Sequence, residues 1–402
     1  MSNETPTTQP TQTPAAQTGA SFSVIAPVLF GFFIMSFCDF IGPAKEYVQK
    51  DFTLSNTVAG ILPLALFFWF LVCSVPTSML MNKIGRKNTV LVSMVITIVA
   101  MLIPVVAYTL PAVLLAFALL GIGNAIIQVS LNPLVTNVVR GDRLTSSLNY
   151  GQFIKAVGSF LGPIIASVIG ARMLGSWKWA FPIFAALTLL SGLWLLLTQI
   201  KREVPEGKPS TFGECFALLG DKAILLFFFG ILCVVGVDVG MNVTMPSFLA
   251  ERCGLSSNDA VLGTSLYFAA RTIGAFAGAS LLLVVSPKKF FIVSIIVAIV
   301  AAVVMLPLHN LWAIGAMIII IGLAIANIFG IIFGAALQKL PAKANEISGL
   351  MIMGVAGGGL FSWLMGVAVD LTGGQKGAIF VILACMIYLL ICALTVKEKK
   401  AQ

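Results

Sequence analysis

Four ionisable residues lie inside long apolar stretches of the sequence, where a charged side chain is most informative about function. They are Asp39, Lys155, Asp238 and Arg271. A charge at the centre of a bilayer costs about 2.5–3.5 kcal/mol on insertion scales, so residues of this kind are rare and usually functional. The alternative role is a structural ion pair. It fits Asp238 and Arg271 best, since they lie on consecutive predicted helices.

Asp39 is suited to carrying a proton. Burial at low dielectric favours the neutral form of a carboxyl group, so such a group can take up a proton on one side of a membrane and release it on the other. Lys155 would either stabilise the ionised form of Asp39 or hold an anionic group of a substrate. The sequence leaves these two roles open.

Amide side chains form a second set of candidates. Asn124, Gln128 and Asn132 have the spacing i, i+4, i+8 and therefore share one helix face. Such a stripe would be costly against lipid, so we expect it to face a central cavity. Asn149 and Gln152 on the next helix add donors and acceptors that suit sugar hydroxyls. Beside Asp238 and Arg271, the second half of the chain offers the weaker candidates Asn242, Asn327 and Trp363, the last of which either packs or stacks on a sugar ring.

The composition defines the class of protein that positions these residues. Of 402 residues, 59% are hydrophobic and only 10% are charged, against about 45–50% and 25% in soluble domains. The chain is therefore predicted to be a polytopic membrane protein. Its seven cysteines have no paired spacing, and a single histidine offers little for a metal site. The sequence has no Walker loop, dinucleotide fingerprint or nucleophile elbow, so we expect no ATP-driven pump, enzyme, cofactor or metal.

Apolar segments of about 20 residues recur along the chain, the length that crosses a hydrocarbon core. They predict an all-α membrane protein with twelve transmembrane helices. The predicted spans are 22–44, 57–80, 88–109, 111–139, 146–170, 178–199, 222–249, 259–284, 289–308, 311–338, 346–369 and 376–396.

Polar segments divide these spans into two bundles of six. Residues 1–20 are predicted to be a disordered cytoplasmic tail, 21–200 the first bundle, 201–221 a central cytoplasmic loop, 222–397 the second bundle and 398–402 a second tail. Sixteen of the 24 lysines and arginines then lie on the side of the termini. This bias predicts that both termini are cytoplasmic, and it accounts for the net charge of +9 without a nucleic-acid partner.

The two halves also repeat a short pattern. Asp39 precedes Leu54-Ser55-Asn56 by about fifteen residues, and Asp238 precedes Leu255-Ser256-Ser257-Asn258 by about seventeen. A duplication of six helices, with a site at the interface of the repeats, is typical of secondary transporters.

The loop between the second and third helices, SMLMNKIGRKNTV, resembles the signature loop of the major facilitator superfamily. Lys83, Gly85, Arg86 and Lys87 match its spacing, whereas Asn82 stands where that family usually has aspartate. The resemblance implies the major facilitator fold, with two six-helix bundles that rock about a central substrate and with this loop taking part in gating.

The fourth helix, GIGNAIIQVSLNPLVTNVV, and the fifth, SSLNYGQFIKAVGSFLGP, resemble those of the fucose permease family of proton-coupled sugar importers. The resemblance implies that Asp39 couples transport to protons. Two positions depart from it. Gln128 replaces a glutamate and Lys155 an asparagine, so the carboxylate pair of that family is reduced to Asp39 and a cation is present.

These patterns together predict a monomeric, multi-pass importer in a bacterial inner membrane, surrounded by lipid. It would move a small sugar together with a proton by alternating access, with the proton as coupling ion and no other cofactor. A first alternative is an acidic sugar, a sialic or uronic acid, held by Lys155 or Arg271. A second is drug or metabolite efflux by the same fold, which the polar stripe disfavours. A membrane enzyme or sensor is a third, for which the sequence offers no catalytic cluster.

Overall fold

The computed structural model describes residues 22–139, 143–200, 211–282, 284–340 and 343–396, and it is built from helices. Both predicted tails lie outside this part of the chain, as does most of the first half of the central segment. Within the described residues there is no strand, and twelve helices are long and apolar enough to cross a membrane. The prediction of an all-α, twelve-span membrane protein is confirmed.

We number these twelve spans α1 to α12. They are Phe22–Asp51, Asn56–Ile84, Arg86–Val106, Leu110–Val135, Tyr150–Met173, Trp177–Leu197, Lys222–Cys253, Ser257–Leu281, Pro287–Met305, Leu311–Lys339, Glu346–Thr372 and Lys376–Thr395. The end at which α1 begins and α12 finishes is called the proximal end, and the opposite one the distal end.

The helices pack around two apolar cores, one built mainly from α1–α6 and the other from α7–α12. Lipid tails are as apolar as these side chains, so close packing rather than transfer from water holds the helices together. Glycines permit that packing. A Cβ added to Gly121 would lie 2.0 Å from the Leu66 carbonyl oxygen, and one added to Gly357 would lie 2.3 Å from that of Leu232.

The first span is longer than predicted. The sequence placed its end at 44, whereas α1 continues to Asp51 and contains a 3-10 segment, Ser36–Phe40. Hydropathy falls after residue 44 because Lys45 and Glu46 are polar, yet both are buried against the second half of the protein. A rule that assigns polar residues to loops therefore ended this helix too early.

Two other segments contain features that the sequence did not predict. The predicted span 311–338 agrees with α10, which has a break next to Asn327 between its helical parts Leu311–Ile325 and Ile328–Lys339. The segment 201–221, predicted as a loop, contains the helix Phe212–Ala217, which begins with a capping box. The span α7 then starts after Asp221, whose carboxylate accepts from the backbone N–H groups of Ala223 and Ile224.

The repeat predicted from the sequence has a structural counterpart at the distal end. Ser55 and Ser256 each accept a hydrogen bond from a backbone N–H at the start of a short helix, Asn56–Ala59 or Ser257–Ala260. Each short helix forms the beginning of a long span, α2 or α8. The two halves therefore present equivalent helix starts at the distal end.

Candidate functional site

The candidate charged residues lie at one depth. Counted from the distal ends of their helices, Asp39, Ser159, Asp238 and Arg271 lie 12 to 15 residues deep. At about 1.5 Å per residue their depths differ by only about 5 Å. Lys155 lies one turn further toward the proximal end, on the same helix as Ser159. The structure thus gathers groups from α1, α5, α7 and α8 near the middle of the membrane-spanning part.

Asp39 is contacted from both halves of the protein. It belongs to the 3-10 segment of α1, and its Oδ2 lies 2.6 Å from the Ser159 hydroxyl of α5. From the second half, the amide Nδ2 of Asn242 donates to the Asp39 backbone carbonyl at 2.8 Å. The carboxyl group and the contact between the halves therefore share one short segment.

Ser159 has two possible hydrogen-bond acceptors but only one proton to give. Its hydroxyl lies 2.6 Å from Asp39 Oδ2 and 3.1 Å from the backbone carbonyl of Lys155. An ionised Asp39 accepts from this hydroxyl. A protonated Asp39 can donate to the Ser159 oxygen, whose own proton then turns to the Lys155 carbonyl. Both protonation states of Asp39 are therefore satisfied without moving a helix.

Asp238 and Arg271 form an ion pair in the second half. Arg271 Nε lies 2.9 Å from Asp238 Oδ1, and the hydroxyl of Tyr267, one turn before Arg271, donates to the same oxygen at 2.7 Å. The Arg271 side chain is 33% exposed and that of Asp238 is 20% exposed, although both lie at mid-depth. The pair is thus neutral as a unit and borders accessible space.

Lys155 differs from Arg271 because its ammonium has no ion-pair or hydrogen-bond partner among the residues that the structure describes. Its side chain is half-buried. The four ionisable residues predicted from the sequence therefore lie at similar depth, and among the described residues Lys155 is the one whose charged group has no such partner.

The three amides of the stripe on α4 become more exposed toward the proximal end. Asn124 is buried and donates to the Met35 carbonyl of α1 at 2.9 Å. Gln128, one turn on, is half-buried and donates to Asn124 Oδ1 at 2.8 Å. Asn132 is exposed. Asn124 therefore mainly joins α4 to α1, whereas Gln128 and Asn132 retain polar atoms for a ligand.

The remaining predicted binding residues are dispersed. Gln152 on α5 is exposed, and the side chain of Asn149 lies outside the described part of the structure. Asn327 donates to the Gly274 carbonyl at 2.8 Å and so joins α10 to α8. The backbone of Trp363 lies against α2, where a Cβ on Gly60 would lie 3.0 Å from its Cα, and its side chain is half-buried. The geometry of Asn327 is that of helix packing.

The predicted gating loop makes contacts within the first half. Gly85 has φ 87°, which separates α2 from α3. Arg86 donates to the Pro133 carbonyl at 3.1 Å, and Lys87 Nζ donates to the Leu196 and Thr198 carbonyls at 2.9 and 2.8 Å. Arg86 and Lys87 thus tie this loop to α4 and to the end of α6. Lys83, the other predicted cation of the loop, is exposed.

The distal ends of the two halves are joined by buried polar contacts that the sequence did not reveal. Glu46 accepts from the Ser247 hydroxyl at 2.6 Å and from the Ser257 hydroxyl at 3.3 Å. Lys45 Nζ donates to the Val243 carbonyl at 3.4 Å. These contacts join α1 to α7 and α8, and we call them the Glu46 latch.

Two further contacts repeat this arrangement around the distal end. The Asp370 carboxylate of α11 accepts four hydrogen bonds, two each from Asn56 and Thr57 at the start of α2. Arg172 of α5 pairs with Asp259 at the start of α8. The two equivalent helix starts are thus each held by the opposite half, and the distal end is closed.

Helical spacing would have found two of the missed residues. Ser159 lies four positions after Lys155, and Tyr267 lies four positions before Arg271, so each shares a helix face with a predicted residue. The Glu46 latch had no such signal, because Lys45 and Glu46 resemble a polar loop in sequence.

A separate apolar cleft of about 620 Å³ lies between α7, α11 and α12, with Phe229, Phe361 and Tyr388 in its wall. Its lining carries no charged residue. Because this cleft has no charged group to bind a proton or a polar substrate, we assign the functional site to the mid-depth charges.

Comparisons with known proteins agree with this architecture. The glucose/galactose transporter of Brucella abortus (strain 9-941) is 22% identical over 93% of this chain and 94% of its own length. The crystal structure of the E. coli fucose:proton symporter has a TM-score of 0.67 at 16% identity, covering 93% of this chain and 98% of that one. The nucleoside transporter NupG has a TM-score of 0.78 at 14% identity, covering 94% and 99%. The family model of the Major Facilitator Superfamily matches residues 28–363, and the chain belongs to that superfamily.

Proposed function

We propose that the protein is a secondary active transporter that imports a sugar together with a proton. The observation that carries this proposal is Asp39, a carboxyl group at mid-depth with a hydroxyl partner that serves both of its protonation states. The Brucella relative, named for glucose and galactose, and the fucose:proton symporter support a sugar as substrate. The substrate would lie between the halves, near Asp39 and the Asp238–Arg271 pair.

The proton step follows from the hydrogen bonds of Ser159. When Asp39 takes up a proton, its new O–H donates to Ser159, and the serine proton turns toward the Lys155 carbonyl. Loss of the proton reverses both bonds. A buried hydrogen bond is costly to leave unmade, about 1–3 kcal/mol. A relay that stays satisfied in both states avoids that cost, so Asp39 can be loaded and unloaded at the same place.

Asn242 links this step to movement of the halves. Its Nδ2 donates to the Asp39 carbonyl, while its buried Oδ1 has no hydrogen-bond partner. An unpaired buried acceptor costs about 1–3 kcal/mol. Separation of the halves at the distal end would expose this acceptor and relieve the cost.

Alternating access would then exchange distal for proximal contacts. The Glu46 latch, together with the contacts of Asp370 and Arg172, closes the distal side in the conformation described here. Opening that side breaks these contacts and rocks the halves together at the proximal end. The loop that carries Arg86 and Lys87 would take part in the proximal closure.

The amide side chains of Gln128, Asn132 and Gln152 are the candidate partners of sugar hydroxyls. They are half-buried or exposed; Gln128 lies at the depth of Lys155, and Asn132 and Gln152 lie about one turn toward the proximal end. We further propose that the protein is a monomer in a bacterial cytoplasmic membrane with both termini inside. An even number of spans and the excess of basic residues on the proximal side support this orientation.

Uptake into proteoliposomes tests this function. Radiolabelled sugars, neutral and acidic, are offered outside vesicles whose exterior is more acidic than the lumen. We expect accumulation above the external concentration of at least one sugar, and its loss when a protonophore removes the gradient. Accumulation that is unaffected by the protonophore would contradict proton coupling, and absence of any sugar uptake would contradict a sugar substrate.

A further inference from the structure

We propose that the transported sugar is an acid with a single carboxylate, held by Lys155, and that it crosses with one proton and no net charge. This inference rests on the proposed function and names its substrate class. Its basis is the contrast between two cations at similar depth. Arg271 lies 2.9 Å from a carboxylate oxygen, whereas Lys155 has no partner among the described residues.

The charges around Asp39 can be counted. Asp238 and Arg271 cancel, and Tyr267 supplies a further hydrogen bond to their pair. Among the described residues, the thiol of Cys38 also lies near Asp39, 3.6 Å from its carboxylate. What remains is the negative charge of Asp39 and the positive charge of Lys155.

This pair makes the empty site neutral when Asp39 is ionised. A proton on Asp39 leaves Lys155 as an uncompensated cation, which is costly at mid-membrane. Binding of a monoanion then restores neutrality. The empty form and the form loaded with both proton and anion are therefore neutral, whereas a form that carries only one of them is charged. The conformational change costs least when the binding site carries no net charge, so the proton and the anion are expected to be transported together.

A neutral sugar does not make the loaded site electrically neutral. With a proton on Asp39 and a neutral ligand, Lys155 keeps its charge through the whole conformational change. A structural role for Lys155 would also predict a direct ion pair with Asp39, comparable to that of Arg271 with Asp238. Instead Ser159 joins Asp39 to the backbone carbonyl of Lys155, and the Lys155 ammonium has no partner among the described residues and is open to a ligand.

The surrounding groups favour a sugar acid over a simple carboxylate. Gln152 is three residues from Lys155 on α5, and Gln128 lies at the same depth on α4. Amides of this kind bind hydroxyl groups through both donor and acceptor atoms. Uronic and sialic acids carry a carboxylate beside several hydroxyls and match this set.

Uptake and charge movement in proteoliposomes test the inference with defined probes. Glucuronate, galacturonate and N-acetylneuraminate are compared with glucose, galactose and fucose. We expect at least one acid to accumulate under a pH gradient, without a transport current and without a response to an imposed membrane potential. Accumulation of neutral sugars alone, with inward positive current, would overturn the inference and leave the proposed function intact. No uptake of either class would overturn both.

Variants of Lys155 provide the second test. Lys155→Gln is expected to raise the KM for the acid by about tenfold or more, because the charged partner of its carboxylate is lost. Lys155→Arg should retain most of the affinity. Lys376→Gln removes an exposed lysine at the distal end and should leave uptake unchanged. Acid uptake by Lys155→Gln with the parent KM would overturn the inference. If that variant does not fold, the transport current measured with the parent protein still distinguishes an acidic substrate from a neutral one.

Discussion

Replacing Glu46 with alanine is expected to shift the protein toward the conformation that is open at the distal end. The Glu46 side chain is only 4% exposed and accepts from Ser247 at 2.6 Å and from Ser257 at 3.3 Å. Both serines belong to the other half, so these bonds exist only while the distal end is closed. Their loss should destabilise the closed form and leave the open form unchanged.

The expected size follows from the short bond to Ser247. A hydrogen bond to a charged group contributes about 1.5–3 kcal/mol net. The longer bond to Ser257 adds little once the desolvation of Glu46 is included. A change of about 1.5–3 kcal/mol shifts the ratio of open to closed forms about 10- to 150-fold. Glu46→Gln retains one acceptor oxygen and should fall between alanine and the parent.

Lys50 provides the matched control. Its ammonium lies 3.3 Å from Glu46, but both residues belong to α1 and the lysine is 53% exposed. An i,i+4 ion pair within one helix contributes about 0.3–0.5 kcal/mol, and this pair does not join the halves. Lys50→Met should therefore leave the ratio of open to closed forms nearly unchanged.

Pulsed electron paramagnetic resonance can measure this ratio. Spin labels on Val106→Cys and Trp312→Cys, in a background without the native cysteines, report the distance between the halves at the distal end. The two side chains are 87% and 85% exposed, so the labels should perturb little. Glu46→Ala should enlarge the population with the longer distance. The same distance distribution in Glu46→Ala and the parent would refute the role of the latch.

Three other changes test separate parts of the structure. Ser159→Ala removes the hydrogen bond to Asp39, so proton-driven uptake should fall about tenfold or more and its pH profile should change. Ser159→Thr keeps the hydroxyl group and should retain both the uptake rate and the pH profile. Tyr267→Phe removes a 2.7 Å hydrogen bond to Asp238, so thermal unfolding should show a loss of about 1–3 kcal/mol, with the pH profile of uptake unchanged. The backbone N–H groups at the start of α7 lower the pKa of Asp221. Its stabilisation is therefore complete above about pH 4 and is lost as the pH falls through the lowered pKa, so the Tm deficit of Asp221→Asn should be largest near neutrality and shrink in acid. A deficit independent of pH would contradict this reasoning.

The sequence was sufficient for the spans because the hydrocarbon core imposes length and apolarity on each helix. It was also sufficient for the depth of Asp238 and Arg271, since charges stand out in apolar runs, whereas it placed Asp39 too near the end of its span because that end was predicted too early. It could not show which of these groups touch. The Asp238–Arg271 contact depends on the packing of α7 against α8, and the freedom of Lys155 depends on where α5 faces α1.

The latch was beyond sequence reasoning for a physical reason. Lys45 and Glu46 are buried against protein and not against lipid, so they lower the hydropathy of a segment that is still helical. Asn327 shows the converse. A polar residue in an apolar span resembles a ligand-binding group, yet its amide satisfies the Gly274 carbonyl in a helix contact.

The coupling of transport to the proton on Asp39 is tested most directly by Asp39→Asn. Asparagine keeps the shape of the side chain but cannot release a proton. In proteoliposomes containing unlabelled substrate, we expect this variant to exchange labelled substrate across the membrane, since exchange needs only rocking of the loaded protein. The same vesicles should fail to accumulate substrate under a pH gradient. Full uphill accumulation by Asp39→Asn would contradict the central claim.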